Sequence, residues 1–109
     1  MINYTKFQKL KSDVGEGIIN ELIKHFIDEL SQQQAQLHCY AVDIDHNQKQ
    51  INDVLHILKN TTNMYGADSL FHIANDNYEK GEVSKVTLLE ICSQITCSIE
   101  SYEKLIQRG

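Results

Sequence analysis

No proline occurs anywhere in the chain, and glycine appears only at Gly15, Gly17, Gly66, Gly81 and Gly109. Sheets of many short strands need tight turns, and tight turns draw on these two residues. A chain so poor in both has little to build an all-β sandwich from. It also lacks the residue that breaks helices most strongly. The spacing of the apolar residues then decides the class, and it is helical throughout.

Residues 3–11 hold Tyr4, Phe7 and Leu10 at helical steps and predict a short helix or covering arm, after which Ser12 and Asp13 offer N-caps. A long helix is expected from about Val14 to Tyr40. Its stripe reads Val14, Ile18, Leu22, Phe26, Leu30 and Leu37, with Ile19, Ile23 and Ile27 widening one edge. Core width is the favoured reading of that second row, and an apolar docking patch is the alternative. The polar run 43–46 reads as a connection. A second long helix, about Asp45 to Tyr65, presents Ile51, Val54, Leu55, Leu58, Thr62 and Tyr65 to the core, and Gly66 is placed to end it. A third covers about 67–79 and stops before Gly81. Ser84 caps the last, whose stripe is Leu88, Ile91, Cys92, Ile95, Ile99, Tyr102 and Ile106. Short connections between long amphipathic helices predict an all-α fold. The expected architecture is an antiparallel up-and-down four-helix bundle with a short extra N-terminal helix, one domain over residues 1–109.

The charge balance excludes several functions. Ten basic against fifteen acidic side chains leave a formal charge of −5, unlike the cationic footprint that holds nucleic acid. No apolar run reaches the length of a membrane span, and residues 1–6 lack the apolar centre of a signal peptide. Cys39, Cys92 and Cys97 are odd in number, which fits reduced thiols and a cytoplasmic location. No G-x-G-x-x-G or G-x-x-x-x-G-K loop is present to hold a nucleotide. Zinc ligation is disfavoured too: His38 and Cys39 diverge on a helix, and Cys92 and Cys97 do not stack. His25, His46 and His72 read as solvent-facing or boundary residues.

One polar stripe carries chemistry. Asn52, His56, Lys59, Asn60 and Asn63 recur at helical steps along the second long helix, roughly opposite its core face. A neutral imidazole, the form histidine favours above about pH 6.5, is a good nucleophile toward phosphorus. A lysine three residues on can neutralise charge on the transferring oxygens. A rigid, outward-facing site of this kind suits a phosphoryl group delivered by a second protein. The plain alternative is a solvated helix histidine without a role.

The stretch His56-Ile57-Leu58-Lys59-Asn60-Thr61-Thr62, followed by Gly66-Ala67 and Leu70, resembles the signature of histidine-containing phosphotransfer domains. The block from Asp13 to Leu30 resembles the helix that precedes the histidine helix in that family. The resemblance implies a monomeric phosphorelay carrier. His56 would take a phosphoryl group from an aspartate of one receiver domain, in a response regulator or a hybrid histidine kinase, and pass it to another. Lys59 would stabilise the phosphoryl charge. It implies no kinase activity and no cofactor in this chain, the Mg²⁺ of transfer being held by the receiver. Met1 and the unbroken pattern favour a free-standing protein. Two positions depart from the family. Asn60 stands where glycine usually follows the lysine. Tyr78, or Glu79 with a slip of one residue, stands where many members carry a Gln or Glu bonded to the imidazole, and the resemblance leaves either of the two to orient His56 through its other ring nitrogen. Asn60 keeps open a different reading, a related module that binds a receiver or kinase without accepting phosphate, and a helical scaffold of unrelated function is the third.

Overall fold

The computed structural model describes the backbone of residues 2–108 and the side chains of residues 2–106. Every regular element among them is a helix: α1 (Tyr4–Val14), α2 (Glu16–Ala41), α3 (Gln48–Tyr65), α4 (Asp68–Lys80) and α5 (Lys85–Arg108). The body measures 43 × 22 × 18 Å. Its long dimension is close to the roughly 39 Å that a helix of the length of α2 spans at 1.5 Å per residue. α2 packs against α3 and α5, and α4 against the same two, so the four long helices form a closed ring of neighbours. α1 lies across α2 and α3.

The core faces of α3 and α5 fall where the sequence puts them. Ile51, Val54, Leu55, Leu58, Thr62 and Tyr65 are buried, as are Leu88, Ile91, Cys92, Ile95 and Tyr102, while Ile99 and Ile106 are partly buried against them. Ser84 caps α5 by accepting the Thr87 amide at 3.2 Å.

Two expectations on the first half of the chain are corrected. Ser12 and Asp13 cap nothing; both lie inside α1, and the break comes at Gly15. That residue has φ +91° and ψ 153°, a conformation glycine adopts readily and other residues rarely do. The second correction concerns the inward stripe of α2, which runs Ile19, Ile23, Phe26, Leu30, Gln33 and Leu37, with Ile18 left 53% exposed. A row of repeated four-residue steps drifts by about 40° per step around a helix of 3.6 residues per turn. Alternating steps of four and three hold one face, and those select Ile19 and Ile23 over Ile18 and Leu22. Ile19 and Ile23 are therefore core, and Ile27 is partly buried.

Three aromatic rings tie α2, α3 and α5 together at one end. Phe26 stacks on Tyr65 at 4.1 Å between ring centres, and Tyr102 meets Phe26 edge-on at 5.1 Å. The hydroxyls are satisfied by backbone: Tyr65 donates to the Leu22 carbonyl and Tyr102 to the Tyr65 carbonyl, at 3.2 and 2.7 Å. Burial pushes the Tyr102 hydroxyl far above its ordinary titration range, which keeps it a donor. Gln34 bridges α2 to α5, giving its amide to the Cys92 carbonyl and to Thr96 Oγ1.

The chain reverses between α3 and α4 at Gly66, in the left-handed region with φ +86°. Its carbonyl accepts the Asn3 amide at 2.7 Å, and a Cβ built there would stand 2.6 Å from the Asn3 carbonyl oxygen. Around this turn α1 grips both flanking helices. Asn3, the N-cap of α1, gives its side-chain amide to Asp68 Oδ2 at 2.7 Å. Lys6 Nζ reaches Asp68 Oδ1 at 3.0 Å and Asn63 Oδ1 at 2.8 Å, and Phe7 is buried below. The hydrogen bonds from Asn3 and Lys6 hold the Asp68 carboxyl below its usual range.

Gly66→Ala combines an unfavourable backbone region with a backbone clash, so urea unfolding should report a loss of about 2 kcal/mol. Asp68 is bonded in its charged form, so its stabilisation is complete above the unfolded carboxyl value and lost as pH falls through the lowered folded one. Asp68→Asn is expected to cost about 1 kcal/mol at neutral pH, given its exposure. In urea titrations at several pH values, the gap between the two proteins should hold down to roughly pH 5 and close below about pH 4.

Candidate functional site

α3 carries the site because its apolar positions, Ile57 and Met64 apart, turn one way. With Val54, Leu55 and Leu58 in the core, His56 is left exposed on the outer side of a helix that tertiary packing holds rigid. Lys59, one turn on, is half-buried, and Asn60 and Asn63 are exposed.

α4 supplies the other side. The Tyr78 ring lies 5.2 Å from the His56 ring, centre to centre, tilted by 35°. Lys59 Nζ stands over the same Tyr78 ring at 4.6 Å and donates to Asn75 Oδ1 at 3.5 Å. One aromatic ring therefore touches both the candidate nucleophile and the candidate charge-stabilising group. Each contact is weak. A tilted aromatic pair contributes about 0.5–1.5 kcal/mol and an exposed cation–π contact about 0.5–1 kcal/mol, and a hydrogen bond at the long limit of geometry adds little. The ammonium is held on the ring that also meets the imidazole, without being committed to a strong partner.

The remaining sequence candidates separate. Tyr78 meets His56 ring against ring. Among the described residues no hydrogen bond or ion pair joins His56 to Tyr78 or to Glu79, which is exposed. Asn63 is engaged by Lys6 and so belongs to the grip of α1 on the α3–α4 turn. Asn52 does not stand opposite the core. It is half-buried, and its Oδ1 is buried without a hydrogen-bond partner. The polar stripe is thus divided: His56 and Lys59 meet Tyr78 of α4, Asn63 meets Lys6 of α1, and Asn60 is exposed.

Sequence reasoning did not pick out Asn75, nor the exposed Ile57 and Met64 beside Asn60 on α3. Asn75 had a findable signal. In a hairpin reversing at Gly66, a step of three forward on α3 matches a step of three back on α4. Pairing His56 with Tyr78 therefore pairs Lys59 with Asn75.

The motif residues divide by task. Leu58, Ala67 and Leu70 are buried at 0%, 3% and 1%, and Gly66 makes the turn, so these four build the hairpin. His56 and Lys59 alone among the matched positions face the site. The other histidines, His25, His38, His46 and His72, are exposed. His46 differs in having a carboxylate partner: Asp43 Oδ1 at 2.9 Å bonds its ring and raises its pKa, favouring the protonated, non-nucleophilic form. Burial pushes the Cys92 thiol up, away from reactive thiolate, and Cys39 and Cys97 are exposed free thiols. Among the described residues no group of three or more His, Cys, Asp or Glu side chains is placed to hold a metal ion. Comparison with known proteins finds no matching family model, no matching curated protein and no matching solved structure.

Because Lys59 makes only peripheral contacts, Lys59→Ala should leave the far-UV circular dichroism spectrum unchanged and lower stability by no more than about 0.5–1 kcal/mol.

Proposed function

We propose that this chain is a histidine phosphotransfer module of a multi-step phosphorelay, with His56 as the phosphoryl acceptor. The observation that carries the reading is the composite site: an exposed imidazole on a packed helix, with an uncommitted lysine ammonium held on the same neighbouring ring. The resemblance of the stretch from His56 to Leu70 to the phosphotransfer signature adds to it.

The bundle belongs to the same proposal. Tyr65 bonds near the start of α2, Tyr102 bonds the end of α3, and Gln48 at the start of α3 exchanges hydrogen bonds with Val83 just before α5. These tie points support an antiparallel up-and-down four-helix arrangement with α1 as the extra helix.

The step suits an open surface. The lone pair of one His56 ring nitrogen forms a P–N bond as the P–O bond to the receiver's aspartate breaks, its electron pair leaving with the carboxylate. The other ring nitrogen carries the proton and releases it to solvent. Attack by a second receiver's carboxylate reverses the sequence. Lys59 moves from the Tyr78 face to the phosphoryl oxygens, where its charge offsets theirs. The receiver brings the Mg²⁺ that polarises the phosphoryl group. The module works as a monomer in the cytoplasm, a setting that fits the finding that no described helix is long and apolar enough to cross a membrane. It needs no nucleic-acid surface.

Asn60 favours a second reading. It is exposed one turn beyond His56, where the family keeps glycine, and its side chain stands on the face a receiver would approach. In that reading the module binds a receiver or histidine kinase as a regulator and is never phosphorylated.

One experiment separates the two. Receiver domains charged with acetyl phosphate are incubated with the wild-type chain and with His56→Gln. Acid-labile phosphate should appear on the wild type and fall to background in the variant. Equal labelling of both proteins overturns the assignment of His56, and receiver binding without any phosphohistidine selects the regulatory module.

A further inference from the structure

We propose that Tyr78 is a positioning residue, its ring setting the orientation of the His56 imidazole and holding the Lys59 ammonium beside it until a phosphoryl group arrives. The inference rests on the phosphotransfer reading and adds to it the means by which the acceptor is prepared.

An exposed histidine on a lone helix exchanges among rotamers, and most of them point the ring nitrogens away from any fixed approach direction. Here one flank of the imidazole is occupied by the Tyr78 ring at 5.2 Å. The orientations that would overlap it are removed, while the outer edge stays open. Lys59 has the same problem on a longer chain, and the same ring, together with Asn75 Oδ1, gathers its ammonium. Tyr78 belongs to α4, so neither constraint exists in α3 alone. The two helices must pair about Gly66 before the acceptor is ordered.

The grip is also releasable. A cation over a ring face and a hydrogen bond at 3.5 Å are both readily exchanged for the doubly negative oxygens of a phosphoryl group. A carboxylate in place of Tyr78 would bind the ammonium more tightly and repel the incoming phosphoryl. An aromatic face orders the cation without adding negative charge to the site. The feature that matters is thus the ring and not the hydroxyl, which among the described residues bonds neither His56 nor Lys59.

The test uses the full chain and phosphoramidate as a small phosphoryl donor, so that no receiver contact enters. The His56 lone pair forms the new P–N bond as ammonia departs, and phosphohistidine is followed by ³¹P NMR. His56→Gln measures the background from the other exposed histidines. Tyr78→Leu should slow labelling of His56 by about fivefold, and Tyr78→Phe should stay within about twofold of wild type. The His56 ring-proton resonances should move in Tyr78→Leu and stay nearly in place in Tyr78→Phe. In the wild type itself, nuclear Overhauser contacts should join the His56 and Tyr78 rings, which tests the arrangement even where the leucine variant folds poorly. Unchanged labelling in a folded Tyr78→Leu, equal slowing in both variants, or absence of the ring-to-ring contacts overturns the role of Tyr78. Wild-type labelling no higher than that of His56→Gln overturns the phosphotransfer reading instead, and this inference with it.

Discussion

The reversal at Gly66 is the constraint on which the rest of the site depends. α3 and α4 belong to one hairpin, and its register is set where the chain turns through a left-handed conformation against the backbone of Asn3. That register brings Tyr78 to His56 and Asn75 to Lys59. A one-residue shift in the turn would rotate α4 by about 100° against α3 and present different side chains to the imidazole. Glycine here does two things: it adopts the positive φ, and it leaves room for a neighbouring carbonyl.

The core then holds the hairpin against the other helices with few polar compromises. Phe26, Tyr65 and Tyr102 form an aromatic group whose hydroxyls end on backbone carbonyls, so rings that large are buried without orphaned oxygens. Among the described side chains Asn52 is the exception, with a buried, unpaired amide oxygen. It sits one turn from His56, so the least satisfied polar atom lies close to the site and away from the aromatic end.

Much of this was legible in the sequence, and the failures have specific causes. The faces of α3 and α5 are legible because their apolar residues mix steps of three and four that together hold one side of the helix. α2 was misread by one residue because its isoleucines, at Ile18, Ile19, Ile23 and Ile27, allow two rows, and the straight four-residue row drifts off the core. The α1–α2 break was misplaced because Ser12 and Asp13 look like caps, while the backbone needs only Gly15. His56 and Lys59 can be singled out because they share a polar stripe and fall at the histidine and lysine of the signature that the stretch resembles. What lies between them is not visible in the sequence: the resemblance leaves Tyr78 and Glu79 both open as partners of the imidazole, and Tyr78 meets His56 and Lys59 through its ring.

α1 can be regarded as a lever. Its joint is the single residue Gly15, and its catch is the set of contacts from Asn3, Lys6 and Phe7 to the far end of α3 and the start of α4. The catch joins the exposed polar contacts of Asn3 and Lys6 to the buried Phe7 ring, with Leu10 and Val14 packed on the core beside it, so a pull on α1 is carried both by the turn and by the core beneath it. The polar part of the catch ends on Asn63 and Asp68, on either side of the turn. The lever's polar end is thus fastened to the same hairpin that carries His56 and Tyr78.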